Sequence, residues 1–147
     1  MTDGAAVPCR TASRAADRRA AGDLRADLVL APDPATVRGA REVVAQQCHR
    51  AGIAVDVCET ALLLTSEVVT NAVLHGRSEV RLRVVVTPGV LHVEVGDDNS
   101  RHPQRASPDD GALDGRGMAI IDVLATRWGV RDTPNGKVVW FDVAVRD

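Results

Sequence analysis

A two-layer α+β sandwich, with a mixed and mainly antiparallel sheet carrying helices on one face, is the fold class this sequence predicts. Three observations point to it. Leu62 to Gly76, LLLTSEVVTNAVLHG, is an apolar run at helical period. Ser78 to Thr87 alternates apolar Val80, Leu82, Val84 and Val86 with charged Glu79, Arg81 and Arg83, breaks at Pro88-Gly89, and resumes at Val90 to Val95. That is the pattern of a hairpin with one buried face. The coarse order along the chain is β-α-α-β-β-loop-α-β-β, so strands pair locally and helices gather into a second layer.

Taken in order, Met1 to Asp23 mixes Ala, Arg, Asp, Ser and Gly and includes four arginines between Arg10 and Arg19. With almost no large apolar side chain to bury, it reads as a disordered tail. A short arginine helix from Thr11 to Ala21, able to touch an acidic partner, is the alternative. Leu24 to Ala31 suits a first strand closed at Pro32 and Pro34. From Ala35 to Ala51, Val37, Ala40, Val43, Val44 and Cys48 recur at helical spacing, and Gly52 follows as a stop. Val55 begins the run into a second helix, with Asp56 as a candidate N-cap, and this helix ends near Gly76. After the hairpin, Asp97, Asp98 and Asn99 stand just past the second strand. The aperiodic stretch to Gly115 reads as a long loop, a lid over the site. Gly115-Arg116-Gly117 opens a helix from Met118 to Ala125, with Met118, Ile121 and Leu124 on one face. Arg127 to Val130 and Val138 to Val145 are the last strands, joined by a turn at Thr133-Pro134-Asn135-Gly136. Residues 24–147 thus form one domain.

Composition narrows the function. At 147 residues, 45% apolar and 26% charged, the chain suits one globular domain with a modest core. Net charge is -2, the basic residues are scattered, and there is no tyrosine and one phenylalanine, Phe141. A nucleic-acid reader needs a basic footprint and stacking platforms, and both are missing. Cys9, Cys48 and Cys58 lack C-x-x-C spacing, which argues against a disulfide framework and a structural zinc site and fits a reducing cytoplasm. No stretch approaches about 18 consecutive apolar residues, and the N-terminus lacks a secretory apolar region, so neither membrane insertion nor export is expected. His75, His92 and His102 lack metal-ligand spacing as a set and read as structural or surface residues.

Three local features carry chemistry. Glu67 and Asn71 lie one turn apart, within about 40° on the helical wheel at about 100° per residue. Such a pair can be the wet face of an amphipathic helix. Here Leu63 and Leu74 share that side, which points to a polar pair in a walled groove. Asn71 offers a neutral amide oxygen suited to Mg²⁺ when phosphates and waters complete its shell, and Glu67 can accept a proton from a hydroxyl or water. Asp97, at a strand end, can accept hydrogen bonds from an exocyclic amino group such as that of adenine, or it can serve turn chemistry in an Asp-Asp-Asn-Ser loop. Gly115-x-Gly117 at a helix start exposes backbone N–H groups to an anion, or is a plain turn.

The combination resembles the GHKL ATPases, the superfamily of gyrase, the Hsp90 chaperone and the histidine kinases. Glu67-x-x-x-Asn71 is similar to their N-box, Val93-Glu94-Val95-Gly96-Asp97 to the adenine-binding strand end, and Gly115-Arg116-Gly117-Met118 to the second glycine box. Trp128-Gly129 and Gly136-Lys137-Val138-Val139-Trp140 resemble the small bacterial branch of anti-sigma factor serine/threonine kinases and their actinobacterial single-domain relatives. The resemblance covers Leu28 to Val145. It implies a Bergerat-type sandwich binding Mg²⁺-ATP. Asn71 would coordinate Mg²⁺ and Asp97 would bind the adenine amino group. The box from Gly115 to Met118 would hold the phosphates, and Glu67 would be the catalytic base. It further implies a sigma factor and an anti-anti-sigma factor as protein partners, and it is compatible with a homodimer. Two departures stand out: Asn99 and Arg101 occupy glycine positions after the adenine strand, and Lys137 stands where many relatives have threonine.

Two functions follow. One is an ATP-dependent serine/threonine protein kinase that also acts as an anti-sigma regulator, favoured by Glu67. The other is a non-catalytic module that sequesters a partner and binds ATP only structurally, favoured by the altered glycines. A small-molecule hydrolase is disfavoured because no nucleophile with a paired base is visible.

Overall fold

A computed structural model describes residues 24–75, 79–98 and 119–145. The expected tail, the Gly76 stop and most of the expected lid lie outside these residues. The elements are β1 (Leu24–Leu30), α1 (Thr36–Ala51), α2 (Val55–His75), β2 (Val80–Thr87), β3 (Val90–Asp97), β4 (Arg127–Thr133) and β5 (Gly136–Ala144). A helical segment at residues 119–124 precedes β4. The strands form one sheet in the order β1-β2-β3-β5-β4, and every pairing in it is antiparallel. The helices pack on one face, and the architecture is the expected α+β sandwich.

Local chemistry sets the helix boundaries. Ahead of α1, the Asp33 carboxylate accepts the Ala35 N–H at 2.8 Å, and the Thr36 hydroxyl donates to the Ala31 carbonyl at 2.6 Å. α1 stops at Gly52, whose φ of 68° is left-handed. There the N–H groups of Gly52 and Ile53 return to the carbonyls of His49 and Cys48, a Schellman closure. Asp56 lies inside the first turn of α2 rather than at its cap, and its carboxylate accepts the Val57 N–H at 2.9 Å. The helix begins two residues earlier than an N-cap at Asp56 would set it, and the acid still favours the positive end of the dipole. Pro88-Gly89 forms the β2–β3 turn, with Gly89 at φ 89°. β3 then runs two residues beyond the expected end, so Asp97 is its last residue. β4 likewise continues to Thr133, which leaves a two-residue turn to β5.

Alternation decides what is buried. Val80, Leu82, Val84 and Val86 of β2, Leu91, Val93 and Val95 of β3, and Val139, Phe141 and Val143 of β5 point to the helices. They meet Ala40, Val44 and Cys48 of α1 and Ala61, Leu64, Val68, Val69 and Ala72 of α2. Each fully buried Val, Leu or Phe side chain contributes about 1.5–3 kcal/mol. By length and composition alone, α2 is apolar enough to cross a membrane. In this fold it is the core helix on the sheet. Arg41 ties the two helices together, donating to the Leu62 carbonyl at 3.2 Å and the Ser66 hydroxyl at 2.7 Å.

Candidate functional site

Burial of Ala61, Leu64, Val68 and Ala72 against the sheet fixes how α2 is turned. The adjoining stripe carries Glu67 and Asn71, both half-buried. The side-chain oxygen of Asn71 is buried and accepts no hydrogen bond among the described residues. An orphaned buried acceptor costs about 1–3 kcal/mol, so it marks a place where a ligand cation or donor would be welcome. Leu63 and Leu74, expected to wall this pair, are instead 40% and 56% exposed. The stripe is rimmed rather than enclosed among the described residues.

On the sheet, Asp97 ends β3 in phase with Val93 and Val95, so its carboxylate faces the helical layer. It is 1% exposed and is already engaged. Lys137, itself 3% exposed, donates from Nζ to both Asp97 oxygens at 3.1 Å. The two residues are direct cross-strand partners. The neighbouring Gly136 makes the approach possible, because a Cβ there would collide with the Asp97 carbonyl oxygen. Sequence reasoning noted Lys137 but assigned it no partner. The signal was its phase with Val139, Phe141 and Val143, which places an ammonium on the core face and demands an opposite charge nearby.

The opposite sheet face holds a different network. His92 lies between two carboxylates: Nδ1 meets Asp142 at 2.5 Å and Nε2 meets Glu94 at 2.8 Å. Arg127 pairs with Asp142 at 3.1 Å and Arg131 with Glu94 at 3.4 Å. The Trp140 indole stacks on His92 at 5.8 Å between centroids. That indole is accommodated by Gly129, its cross-strand partner, where a Cβ would come within 3.0 Å of the ring. The Trp-Gly and Gly-Lys-x-x-Trp motifs are therefore partly packing devices of the β4–β5 hairpin. A depression of about 560 Å³ on this face is lined by Asp27, Arg81, Arg83, Glu94 and Arg131. Two of its arginines are paired within it, Arg83 with Asp27 at 2.7 Å and Arg131 with Glu94 at 3.4 Å.

Burial alone would lower the His92 pKa, but the hydrogen bonds to Asp142 and Glu94 prevail and hold it at about 9. Burial likewise works to raise Glu94 and Asp142, and contact with His92 keeps both below the usual carboxylate range. A raised histidine pKa stabilises the fold fully below its unfolded value, about 6.5, and loses that contribution as pH climbs through 9. The depressed carboxylates lose theirs as pH falls through the acid range. Urea unfolding at a series of pH values is therefore expected to show wild type losing about 2–3 kcal/mol relative to His92→Gln between pH 6.5 and 9.5. Parallel profiles for the two proteins would remove the charge from this network.

Gly115, Arg116, Gly117 and Met118 lie outside the described residues. Among those described, no group of three or more His, Cys, Asp or Glu side chains could hold a metal ion. A cation here would rest on the single Asn71 oxygen, with waters and a ligand's own phosphates completing its shell. Cys48 and Cys58 are free thiols, and burial together with contact from Cys58 pushes Cys48 up to about 12.

Residues 30–143 match the family model described as histidine kinase-like ATPase domain. A crystal structure of the RsbU and RsbW domains of Rv1364c from Mycobacterium tuberculosis is similar over 83% of this chain and 32% of that one, with a TM-score of 0.65 and 14% identity. The histidine kinase domain of the Erythrobacter litoralis EL346 blue-light activated histidine kinase matches 59% of this chain and 44% of that one, at 32% identity and a TM-score of 0.46. This chain therefore spans less than half the length of either. No curated protein matches it.

Proposed function

The chain belongs to the histidine kinase-like ATPase family, whose model covers residues 30–143, and from that premise we propose that it is an ATP-dependent serine/threonine protein kinase and anti-sigma regulator. Its substrate in this reading is an anti-anti-sigma partner, and the same surface sequesters a sigma factor. Residues 24–147 form the ATP-binding domain, and the protein works in the cytoplasm. The observation that carries the nucleotide site is the orphaned Asn71 oxygen one turn from Glu67 on the core helix.

In the reaction, Glu67 accepts the proton of the partner's hydroxyl while that oxygen bonds to the γ-phosphorus and the bond to the ADP oxygen breaks. Asn71 would hold Mg²⁺, and when bound the ion neutralises charge on the β- and γ-phosphates. The backbone N–H groups of the Gly115 to Met118 box hold the phosphates, and Asp97 stands at the base.

A second reading, a partner-sequestering module that holds ATP only structurally, draws support from one observation: Asp97 is already ion-paired. Labelled ATP, Mg²⁺ and a candidate anti-anti-sigma partner separate the two. The kinase yields phosphoserine or phosphothreonine on the partner. Binding of ATP without transfer to any partner overturns the kinase in favour of the module.

Mg²⁺-ATP is expected to raise the melting temperature, since a ligand selective for the folded state at about 100 times its dissociation constant adds roughly 2.7 kcal/mol. Asn71→Ala should lose most of the Mg²⁺-dependent part of that shift. An equal shift in the variant would place the metal elsewhere.

A further inference from the structure

We infer that the open face of the sheet docks an acidic amphipathic helix of a partner protein, in a trough that crosses all five strands. This surface lies on the opposite side of the sheet from the helix that carries Glu67 and Asn71, and the inference stands apart from the nucleotide reading.

Register makes the trough. Val29 of β1, Arg81 of β2, Gly96 of β3, Val138 of β5 and Arg131 of β4 are successive cross-strand partners. They form one row running across the strands, and all five line the depression on this face. In the middle of the row Gly96 adds no side chain, and the Arg81 guanidinium leans toward it: a Cβ there would stand 3.7 Å from Arg81 Nε and Nη2 and 3.5 Å from Val138. The next row supplies a wall through Asp27, Arg83 and Glu94. With strands about 4.8 Å apart, the trough is about 19 Å long, the length of roughly 13 helical residues. An extended peptide laid there would find no ladder, because the N–H and C=O groups of the sheet point along its plane, whereas a helix brings its own hydrogen bonds. Helix on sheet is also the ordinary way to cover a bare sheet face.

Charge selects the partner. On this face the strands present Arg25, Arg81, Arg83, Arg127 and Arg131, with Asp27, Glu94 and Asp142 to answer them. Each carboxylate already serves two cations: Asp27 meets Arg25 and Arg83, Glu94 meets His92 and Arg131, and Asp142 meets His92 and Arg127. Arg81 is exposed and makes no ion pair or hydrogen bond among the described residues. The buried Nη2 of Arg25 likewise has no acceptor. The face is thus positive on a chain of net charge -2. Guanidinium forks fit carboxylates, and exposed Val29 with half-buried Val138 offers apolar contact to the other side of the same helix. A second copy docked face to face would set like charges together. Residues 1–23 carry four arginines against three aspartates, and residues 99–118 balance three with three. Neither segment matches the surplus as an acidic partner does.

The test uses the full chain and a fluorescein-labelled peptide of about 14 residues, made of Glu, Leu and Ala with leucines on one helical face and glutamates on the other. Fluorescence anisotropy is expected to show binding that added salt weakens. A counterpart with Lys in place of Glu should bind at least about tenfold more weakly. Arg81→Glu should weaken the acidic peptide by about tenfold or more, and Val29→Glu, at the other end of the row, by about 3- to 10-fold. Both positions are exposed, so the two variants should fold, and each serves if the other does not. Wild-type affinity in both variants, equal binding of the two peptides, or no binding of either overturns the inference. A concentration-dependent dimer that Arg81→Glu abolishes, with no peptide bound, gives the face to a second copy, and pelleting with phosphatidylglycerol vesicles without peptide binding gives it to a membrane. Either result overturns the inference as well.

Discussion

Replacing Glu67 by alanine is expected to lower phosphoryl transfer to the partner by about 10² to 10⁴ while leaving ATP affinity within about twofold. The asymmetry follows from where the side chain acts. A general base makes its contribution while the hydroxyl proton is leaving, so its removal raises the barrier without weakening the ground-state complex. Position supports a clean reading: Glu67 is half-buried on the edge stripe of α2, and the core contacts of that helix come from Leu64, Val68 and Ala72. Truncation should therefore cost little stability. Single-turnover transfer from labelled ATP is the measurement, with Glu67→Gln as the companion that keeps size and loses basicity. Full transfer by the alanine variant would take the base away from Glu67.

The second large effect concerns the fold. Asp97→Ala leaves the Lys137 ammonium buried at 3% exposure with its carboxylate gone. Breaking one side of such a pair typically costs about 3–5 kcal/mol. Removing both charges in Asp97→Leu/Lys137→Met should recover most of that loss, because a buried pair is often replaced by apolar groups at little net cost. A double-variant cycle in urea, closed with the single variants Asp97→Leu and Lys137→Met, then shows a coupling that neither single variant predicts. A loss below about 1 kcal/mol for Asp97→Ala, the range of exposed pairs, would mean that the two groups are effectively in water.

Much of this was legible from local pattern. The two long helices, the hairpin with its Pro-Gly turn, and the order of elements follow from period and turn chemistry, which act over a few residues. That Glu67 and Asn71 share one half-buried stripe of α2 was legible because four-residue spacing is itself a spatial statement. What escaped was non-local. The partner of Lys137 depends on the β3–β5 register, set by residues some forty positions apart, and no short motif encodes that pairing. The carboxylate clasp on His92 is half-local, since Glu94 lies two residues along the same strand face, but Asp142 arrives from β5. Strand ends were set too short because polar residues such as Arg131 and Asp132 sit on the edge strand β4, where outward charges protect an open edge rather than end the strand. Leu63 and Leu74 carried the opposite error: their hydrophobicity suggested burial, and the packing of the described residues leaves them exposed.

The sheet order has a consequence for the route by which the chain folds. β2–β3 and β4–β5 are both local hairpins that close through two-residue turns, whereas the β3–β5 ladder joins segments far apart in sequence. Hairpins of this kind form on the microsecond scale, while bringing the two together carries the entropy of closing the chain between them. Their docking is the step that sets Asp97 opposite Lys137 and seals the ammonium from water. Contact order, and with it the folding rate, is therefore set by the ladder that pairs Asp97 with Lys137 together with the β1–β2 ladder, whose partners lie still farther apart in sequence. The length of chain between β3 and β4 enters only logarithmically. Insertions there are expected to slow assembly far less than any change that weakens the β3–β5 register.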